Sequence, residues 1–579
     1  MNFKCILIVS AILLILSISA ISAADLNETS HQTLNVDNST SISTNVNVDT
    51  SDNETMCPGT FEDLQKEVDN APAKSVLHLY KDYYGEDGAK IQINKDLVID
   101  GHGHTIDCIG KCFAFYSTKG WITLKNIKII NGHSNGNGGA ICADGTSRYI
   151  IENCTFLNNW AKGLGGAIYA RKITTIENST FNKNIAKNQG GALYDHENVI
   201  ILKSKFNQNQ ATDSDGGTIY SQKYVLISDS IITNSHSGWS GGAIYSKASV
   251  NLLNCQLSNN NANGNNRECR GGAVRAVKEV IIINSTLIGN YARTFGGAVY
   301  AQTVRVDSIS NMVNGKSVFR GNRADYIGGA IYSEGNTYLN NTILTSNIAY
   351  EDGGAIHCGN AEVRKSTLSY NKAEDGSGGA IDADHNVKID DCTFCGNHAA
   401  DTAGAIYTES ITFLSNAMFK ENEAGYGCGG AIWTCEITNS EVSHISFCEN
   451  SAGFSAGEGL DDDSGCYGGA IFIAGEITVT FYQCQFFGNY ARDKGGAIYM
   501  SDSDSCLSLK DNFFTGNFVP TEYSGEGSCV YTCGNFDKIS HNFWNGNDPS
   551  SDNSQLIEYR FLIPNKHHSD ENPAKSPPF

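Results

Sequence analysis

The sequence predicts an all-β protein, a single-stranded right-handed parallel β-helix, because one short repeat runs through most of its 579 residues. The motif Gly-Gly-Ala-Ile, or a close variant, starts at positions 138, 165, 190, 216, 241, 271, 296, 328, 353, 378, 403, 429, 468 and 495. Six of the thirteen intervals are 25 residues, and four more are 26 or 27. A second element keeps the same period: an apolar residue with Asn three positions later, as in Phe156 and Asn159. A fixed period of this length is typical of solenoids, in which each repeat forms one coil.

The residues between these markers indicate strands rather than helices. Runs such as "YIIENCTF" and "VIIINSTL" are rich in Val, Ile and Thr, which favour strands. A unit of 25 residues has no room for a useful helix as well as strands, and the leucine ladder of a leucine-rich horseshoe is missing. The remaining solution is a coil of about three short strands, with neighbouring coils about 4.8 Å apart. Fourteen such coils would form a rod on the order of 65 Å long.

Each repeated letter then has a structural role in a vertical column. The fourth position of GGAIY is always Ile, Leu or Val, so we expect it to face the narrow core. The double glycine permits a corner with positive φ and a close approach of two backbones. The repeated Asn should occupy the other corner in left-handed geometry, and its side-chain amides should stack as a hydrogen-bonded ladder.

The two ends of the chain carry different signals. Residues 1–24 predict a signal peptide, with Lys4 before an apolar run and small residues at Ala23 and Ala24. Residues 25–58 are rich in Ser, Thr, Asn and Asp and predict a disordered spacer. The β-helix is expected over 59–548 with about fourteen or more coils, and a flexible tail over 549–579.

A short helix is predicted to cover the first coil, because bare sheet edges invite aggregation. In "GTFEDLQKEVDNAP", Thr60 is the expected N-cap residue, with Glu62 and Asp63 in the first turn. Its apolar face comprises Phe61, Leu64, Val68 and Ala71. Three later units are stretched to 30, 32 and 39 residues, and their extra residues are expected to leave the rod as loops.

The composition argues against several function classes. A net charge of -21 and a pI near 5.1 exclude a nucleic-acid partner. The acidic run Asp461–Asp463 could bind Ca²⁺, but it lacks the spacing of an EF-hand loop, so we assign no metal site and no cofactor. After removal of the signal, eighteen cysteines remain. The candidate disulfides are Cys108/Cys112, Cys428/Cys435 and Cys529/Cys533.

An enzyme is the main alternative, because polysaccharide lyases and polygalacturonases use the same pectate-lyase-like architecture. Such enzymes gather acidic and basic groups in one groove. The candidate carboxylate pairs here are Asp382/Asp384 and Asp390/Asp391, and no Lys or Arg is expected beside them. The motif "GHGH" at 101–104 is interpreted as a turn. No catalytic residue is assigned.

The best candidate for a binding surface is the fifth position of GGAIY. It alternates with the inward Ile, so its side chain should point outward and be exposed. An exposed aromatic row could grip sugars or proteins, whereas the alternative is that the rings only stack and stiffen the sheet. The other four units hold Cys142, Arg275, His357 and Asp382. Ten of the fourteen units hold an aromatic residue: Tyr169, Tyr194, Tyr220, Tyr245, Tyr300, Tyr332, Tyr407, Trp433, Phe472 and Tyr499.

The paired "GGA[ILV]" and "F-x-x-N" elements resemble the repeats of chlamydial polymorphic outer membrane proteins. Together with the "TFEDLQKEVDNA" cap and the "NFWNGNDP" close, they are similar to adhesin-like proteins of methanogenic archaea. The resemblance covers roughly residues 59–550 and implies display at the cell surface and attachment to cells or host material. It carries over no catalytic residue.

The sequence therefore predicts an exported, adhesin-like protein that is secreted or held at the cell surface. It is expected to be a non-catalytic monomer, with no transmembrane span after signal removal. Its partners would be glycans or proteins of host or neighbouring cells, bound through the β-helix flank and loops. The alternatives are a polysaccharide lyase or glycoside hydrolase of the β-helix type and a structural component of the cell envelope.

Overall fold

A computed structural model shows a right-handed parallel β-solenoid, and the described residues form about 18 turns and one helix. The structure describes residues 57–172, 174–265, 268–308, 315–438, 441–453, 465–520, 527, 529–545 and 550–551. The fold class predicted from the sequence is confirmed. The expected signal peptide over 1–24, nearly all of the spacer over 25–58 and the tail after Ser551 lie outside the described residues.

Each regular coil contains four short strands that belong to three sheets. In one unit they are Ile168–Ala170, Thr174–Glu177, Thr180–Asn182 and Ile185–Ala186. The first two join a 31-stranded sheet that extends from Val76–His78 to Ser550–Ser551. The third joins a 19-stranded sheet from Gly59–Thr60 to Phe543–Asn545, and the fourth a 14-stranded sheet from His133–Ser134 to Tyr490–Ala491. In five consecutive coils the first two strands merge into one: Val299–Asp307, Ile331–Asn340, Ile356–Arg364, Ile381–Asp390 and Ile406–Ser415.

Matching letters of the repeat are vertical neighbours, as predicted. Phe181 pairs in register with Phe156 below and Phe206 above. The register also holds across the stretched units: Tyr245 pairs with Arg275, and Trp433 with Phe472. Part of the extra residues of these units, including Asp461–Asp463, lies outside the described residues.

The core is a set of apolar columns along the solenoid axis. The fourth residue of the motif is completely buried in all fourteen units, from Ile141 to Ile498. The Phe residues of the second marker stack face to face, with ring centroids of Phe156 and Phe181 4.6 Å apart and those of Phe181 and Phe206 4.9 Å apart. Because every coil repeats the same contacts, the core continues along the rod.

The two glycines of the motif meet different requirements. The first has φ between 64° and 72° in thirteen units, and Ala403 takes the same place with φ of 61°. The second lies against the next coil: a Cβ atom on Gly166 would lie 2.0 Å from the carbonyl oxygen of Gly191. The same distance is 2.0–2.2 Å in every unit from Gly139 to Gly469. A side chain at this second position would therefore push two coils apart.

The repeated Asn residues form the predicted ladder. The Asn184 side chain donates through Nδ2 to Oδ1 of Asn209 at 3.0 Å and to the carbonyl oxygen of Phe156 at 3.1 Å. Its own Oδ1 accepts from the backbone N–H and Nδ2 of Asn159, at 3.2 and 2.8 Å. The buried amide of Asn184 thus has both of its N–H donors and its oxygen paired, as polar groups in an apolar interior require.

The expected left-handed geometry of these Asn residues is wrong for all but one of them. Positive φ falls on the residue before each ladder Asn, such as Asn158, Lys183 and Gly289. The reason is that the turn must be completed before the ladder residue, so that its side chain enters the interior.

The one unit that departs from the ladder compensates within its own coil. There Asn234 takes the turn position with φ of 54°, and Ser235 takes the buried ladder position. The hydroxyl of Ser235 lies 2.6 Å from that of Thr218, the residue that replaces Ala in the same unit's glycine motif. Ser235 and Thr218 both depart from the repeat, and each hydroxyl is the hydrogen-bond partner of the other.

The predicted capping helix is present as α1, Phe61–Asn70. Thr60 and Asp63 form a reciprocal capping box, and Phe61, Leu64 and Val68 are buried against the first coils. Ala71 follows the helix and packs partly buried against the same core. The solenoid extends beyond the glycine motifs at both ends, which explains why it has more coils than the fourteen counted.

The disulfides expected from sequence are not formed. The side chains of Cys108, Cys112, Cys428, Cys435 and Cys533 are present as thiols. The thiol of Cys112 donates to the carbonyl oxygen of Cys108 at 3.4 Å instead. Cys154, Cys255, Cys392 and Cys484 are buried one per coil in non-adjacent units, as expected of small core side chains.

Two substitutions test the glycine corner. Adding a methyl group at the second glycine should lower the free energy of unfolding, and removing the methyl group of the alanine at the first position should raise it. We expect Gly354→Ala to lower the free energy of unfolding by at least about 3 kcal/mol, because its Cβ would lie 2.1 Å from the carbonyl oxygen of Gly379. Ala403→Gly should raise it by about 1 kcal/mol, because it relieves a left-handed alanine. Urea unfolding measures both, and destabilisation by Ala403→Gly would contradict this account.

The ladder can be tested with two asparagines of the same unit. We expect Asn184→Ala to cost about 3 kcal/mol of unfolding free energy, because buried partners on both neighbouring coils lose hydrogen bonds. The matched control is Asn182→Ala, since Asn182 lies two residues earlier in the same coil, is half-buried and accepts one hydrogen bond from Asn207. Its cost should stay within about 0.5 kcal/mol. Equal losses in the two variants would show that the ladder is not a special source of stability.

Candidate functional site

The fifth-position residues form one column on the outer face of the 31-stranded sheet, which we call the stripe. They lie next to the completely buried fourth-position residues but outside the main core cluster. Those from Cys142 to Tyr245 form one separate cluster, and Trp433, Phe472 and Tyr499 belong to another. Strand pairing places them directly above one another. The strands that carry the ten predicted residues are Ile168–Ala170, Leu193–Asp195, Ile219–Ser221, Ile244–Ser246, Val299–Asp307, Ile331–Asn340, Ile406–Ser415, Ile432–Ile437, Ile471–Ile473 and Ile498–Met500.

The expectation that these rings are exposed is wrong. Six of them are at most 9% exposed: Tyr169, Tyr194, Tyr220, Tyr300, Phe472 and Tyr499. The other four are half-buried: Tyr245, Tyr332, Tyr407 and Trp433. Sequence alternation correctly separates the two faces of the strand, but it does not show what covers the outer face.

The rings are covered because the stripe lies in a groove. On one side it meets residues that precede the glycine pair: the ring centroids of Phe295 and Tyr332 are 5.0 Å apart, and those of Tyr467 and Tyr499 are 4.6 Å apart. On the other side it meets residues of the following turn, such as His196, whose ring packs edge-on against Tyr194 at 5.1 Å. Because each strand is short and lies between two tight turns, residues of both turns flank its outward side chain.

Stacking along the column buries the ring faces. The centroids of Tyr194 and Tyr220 are 5.0 Å apart with an interplanar angle of 3°, and those of Tyr220 and Tyr245 are 4.9 Å apart at 0°. Burial raises the pKa of Tyr220, so its hydroxyl stays neutral at physiological pH. The stripe is therefore mainly a column of stacked aromatic rings on the outer face of the sheet.

The column has members that the glycine motif did not reveal. Tyr531 stacks on Tyr499 at 5.3 Å and follows Val530, which occupies the buried fourth position without a preceding Gly-Gly-Ala. At the other end, Tyr116 pairs in register with Cys142. A search for the apolar-aromatic pair alone, as in "CVYT" and "AFYS", would have found both.

Charged residues interrupt the column at two places. Arg275 lies between Tyr245 and Tyr300, with its guanidinium carbon 5.7 and 4.9 Å from their ring centroids. His357 stacks on Tyr332 at 5.0 Å and is followed in the next coil by Asp382. The groove therefore changes from apolar to charged at these two levels.

His357, Asp382 and Asp384 form the charged cluster at the second interruption. Nδ1 of His357 lies 3.1 Å from Oδ2 of Asp382, and Nε2 lies 3.8 Å from Oδ1 of Asp384. The side chains of His357 and Asp382 are only 13% and 10% exposed. The sequence indicates Asp382 and Asp384 as a carboxylate pair, but it does not reveal that His357 lies between them.

Burial and charge act in opposite directions on this cluster. Burial would lower the pKa of His357, but the hydrogen bond and charge of Asp382, with the charges of Asp384 and Asp352, raise it overall. Burial raises the pKa of Asp382, and the hydrogen bond from His357 only partly opposes that rise. The cluster thus holds a proton more firmly than its separate members would.

The other carboxylate pair from sequence is not a cluster. Asp390 ends the strand Ile381–Asp390 and accepts from Nδ2 of Asn416 at 3.4 Å. Asp391 occupies the next turn with φ of 56°. Among the described ion pairs, none joins a Lys or Arg to Asp382 or Asp384, so the acidic and basic gathering of the enzyme alternative is not seen there.

The "GHGH" motif forms the predicted turn, with φ of 47° at His102 and 89° at Gly103.

Within the described ranges, no helix has the length and apolar character that a membrane-spanning segment needs.

Comparison with known proteins supports the repeat and the fold. Residues 97–223 match the family described as right handed beta helix region, and three segments match the chlamydial polymorphic membrane protein repeat: 316–334, 391–409 and 483–501. Each of these segments extends from the Phe-x-x-Asn element through the glycine motif to the stripe residue. The chain carries polymorphic membrane protein repeats. The resemblance to methanogen proteins stays a prediction.

Two curated proteins show what the chain is similar to. It is 33% identical over 277 residues to the probable outer membrane protein PmpG of Chlamydia muridarum, covering 42% of this chain and 25% of that protein. It is 31% identical over 184 residues to the probable autotransporter YfaL of Escherichia coli, covering 29% of this chain and 13% of that protein. The chain therefore spans a quarter or less of these relatives. No solved structure matches it significantly.

The charged cluster predicts a stability difference that depends on pH. A histidine with a raised folded-state pKa stabilises fully below its unfolded value near 6.5, and that contribution is lost as pH rises through the folded value. We expect His357→Gln to cost about 2 kcal/mol at pH 6 and clearly less at pH 9, measured by urea unfolding.

The matched control for this pH dependence is His385→Gln. His385 lies 3.4 Å from Glu409, and its side chain is 62% exposed, so solvent screens the pair. Its effect should stay below about 0.5 kcal/mol at both pH values. A cost of His357→Gln that is the same at pH 6 and pH 9 would refute the proposed protonation.

Proposed function

We propose that this chain is a surface-displayed or secreted adhesin-like protein that binds glycans or proteins of host or neighbouring cells without catalysing a reaction. The observation that carries this proposal is the repeat itself, which is similar to repeats of an outer membrane protein and matches part of an autotransporter. A rod of stacked coils suits this role because it carries variable outer residues on a constant core.

The binding surface we propose is the corner next to the stripe rather than the ring faces within it. Tyr326, Tyr350 and Tyr426 lie shortly before the glycine pairs of three units and are 40%, 46% and 49% exposed. The backbone N–H of Glu351 donates to the carbonyl oxygen of Tyr326 at 2.8 Å, so the corners of the first two units are adjacent. Exposed aromatic side chains on a rigid frame provide large contact area at small entropic cost.

The stripe supports this corner from beneath. The ring centroid of Tyr326 is 5.4 Å from that of Phe295, which in turn contacts Tyr300 and Tyr332 of the stripe. Tyr300 and Tyr332 of the stripe would thus take part indirectly, by supporting through Phe295 the corner that a ligand would touch. The net charge of -21 favours neutral sugars or basic protein surfaces over polyanions.

The geometry gives less support to the enzyme alternative. His357 and Asp382 are nearly enclosed and paired with each other, so little of either side chain is accessible to a polysaccharide. The two relatives are named as a probable outer membrane protein and a probable autotransporter rather than as enzymes. We propose a monomeric, non-catalytic solenoid.

A glycan and host-protein array tests this function with matched variants. We expect the triple variant Tyr326→Ser, Tyr350→Ser and Tyr426→Ser to lose about tenfold or more in apparent affinity, because it removes aromatic contacts worth at least about 1.4 kcal/mol together. The control is Tyr370→Ser, since Tyr370 is 61% exposed on a different turn of the coil. Circular dichroism should show the same fold in all variants.

Several outcomes would contradict the proposal. Equal retention of ligands by the triple variant would reject the aromatic corner as the binding surface. Release of reducing or unsaturated sugars from an arrayed polysaccharide would reject the non-catalytic function. Absence of binding to every glycan and protein would favour a structural envelope component instead.

A further inference from the structure

Three potential metal ligands lie close together near the N-terminal end of the solenoid, in coils that precede the first glycine motif at position 138. Nδ1 of His78 lies 2.8 Å from Nε2 of His102. The ligand atoms of His78, Asp100 and His102 all lie within 4.8 Å of one another. From the sequence, His102 is interpreted only as part of the "GHGH" turn, because His78 lies 24 residues before it.

The solenoid itself brings these residues together. His78 ends the strand Val76–His78 and pairs in register with Asp100, the last residue of Leu97–Asp100 in the next coil. The left-handed conformation of His102 then turns its side chain back over the same corner, with its ring stacked on that of His78 at 5.0 Å. The arrangement thus follows from coil stacking and one tight turn.

We propose that His78, Asp100 and His102 bind a divalent transition-metal ion of the zinc, nickel, cobalt or copper class. Two imidazole nitrogens and one carboxylate are ligands that such ions prefer. Two nitrogens bound at about 2.1 Å and about 90° apart would lie about 3 Å from each other, close to the separation of the two histidine atoms. Water or a partner's side chain would complete the coordination.

Neighbouring residues orient the carboxylate for this role. Oδ1 of Asp100 accepts from Nδ2 of Asn126 at 2.9 Å and from the backbone N–H of His102 at 3.1 Å. Such outer hydrogen bonds are typical of metal ligands, because they fix the direction of the lone pairs. Lys125, which pairs in register with Asp100, is engaged by Glu152 at 2.9 Å.

The chemical environment favours a surface ion rather than a buried one. His78 and His102 are exposed, and Asp100 is half-buried. Tyr80 covers one side, with its ring 6.0 Å from that of His102. The bound ion would connect two consecutive coils next to the capping helix, so it would stabilise the end of the solenoid by binding only the folded state.

Cobalt binding to the full mature chain tests the proposal. The chain is produced without an affinity tag, and His567→Ser and His568→Ser are included in every sample because adjacent histidines also bind metals. Titration calorimetry with Co²⁺ measures affinity, and the absorption spectrum separates nitrogen and oxygen ligands from thiolates. We expect one Co²⁺ per chain without a thiolate charge-transfer band.

The variants locate the ion. His78→Ala and His102→Ala should each weaken Co²⁺ binding by about tenfold or more. His104→Ala is the matched control from the same turn, since His104 faces Asp82 at 3.1 Å instead, and it should bind Co²⁺ as the parent does. Ni²⁺ should raise the unfolding temperature of the parent and of His104→Ala but not of His102→Ala.

The proposal is overturned if Co²⁺ does not bind at millimolar concentration. It is also overturned if both histidine variants bind as tightly as the parent, or if the spectrum shows thiolate ligands. A Ni²⁺ shift that persists in His102→Ala would likewise place the ion elsewhere. Because the measurement follows the metal alone, its failure leaves the adhesin function untouched.

Discussion

The close backbone approach at the second glycine of the repeat, from Gly139 to Gly469, sets the spacing on which the rest of the solenoid depends. At 2.0–2.2 Å from a carbonyl oxygen of the next coil, no Cβ atom fits. The coils can therefore approach to the distance at which parallel strands pair. Ring stacking in the core and amide bonding in the ladder both use that same spacing.

This constraint also explains why the outer face differs from a simple alternating strand. The tight glycine corner folds the preceding residue beside the strand, so the outward ring gains a wall as well as neighbours above and below. An external column formed in this way is mostly apolar, and a charged residue within it must find a partner. His357 and Asp382 in adjacent coils satisfy this requirement for each other.

The sequence predicts the parts of this structure that repeat and misses the parts that depend on turns. Period and residue type are sufficient for the coil, the buried fourth position and the amide ladder, because each repeats in register. They do not reveal which residue of a turn takes positive φ. The left-handed conformation was expected at Asn184, but it is adopted by Lys183. They also do not show that His196 packs against Tyr194 or that His78 lies beside His102, because each of these contacts involves a residue outside the motif.

The amide ladder has a consequence for how such a molecule changes over time. The side-chain amide of each such Asn donates to the equivalent amide of the next coil and accepts from that of the coil before, always in the same direction. Duplication or deletion of one whole unit would therefore leave two surfaces that still match. The reach of the protein can thus be lengthened or shortened in steps of about 4.8 Å without redesign of its interior.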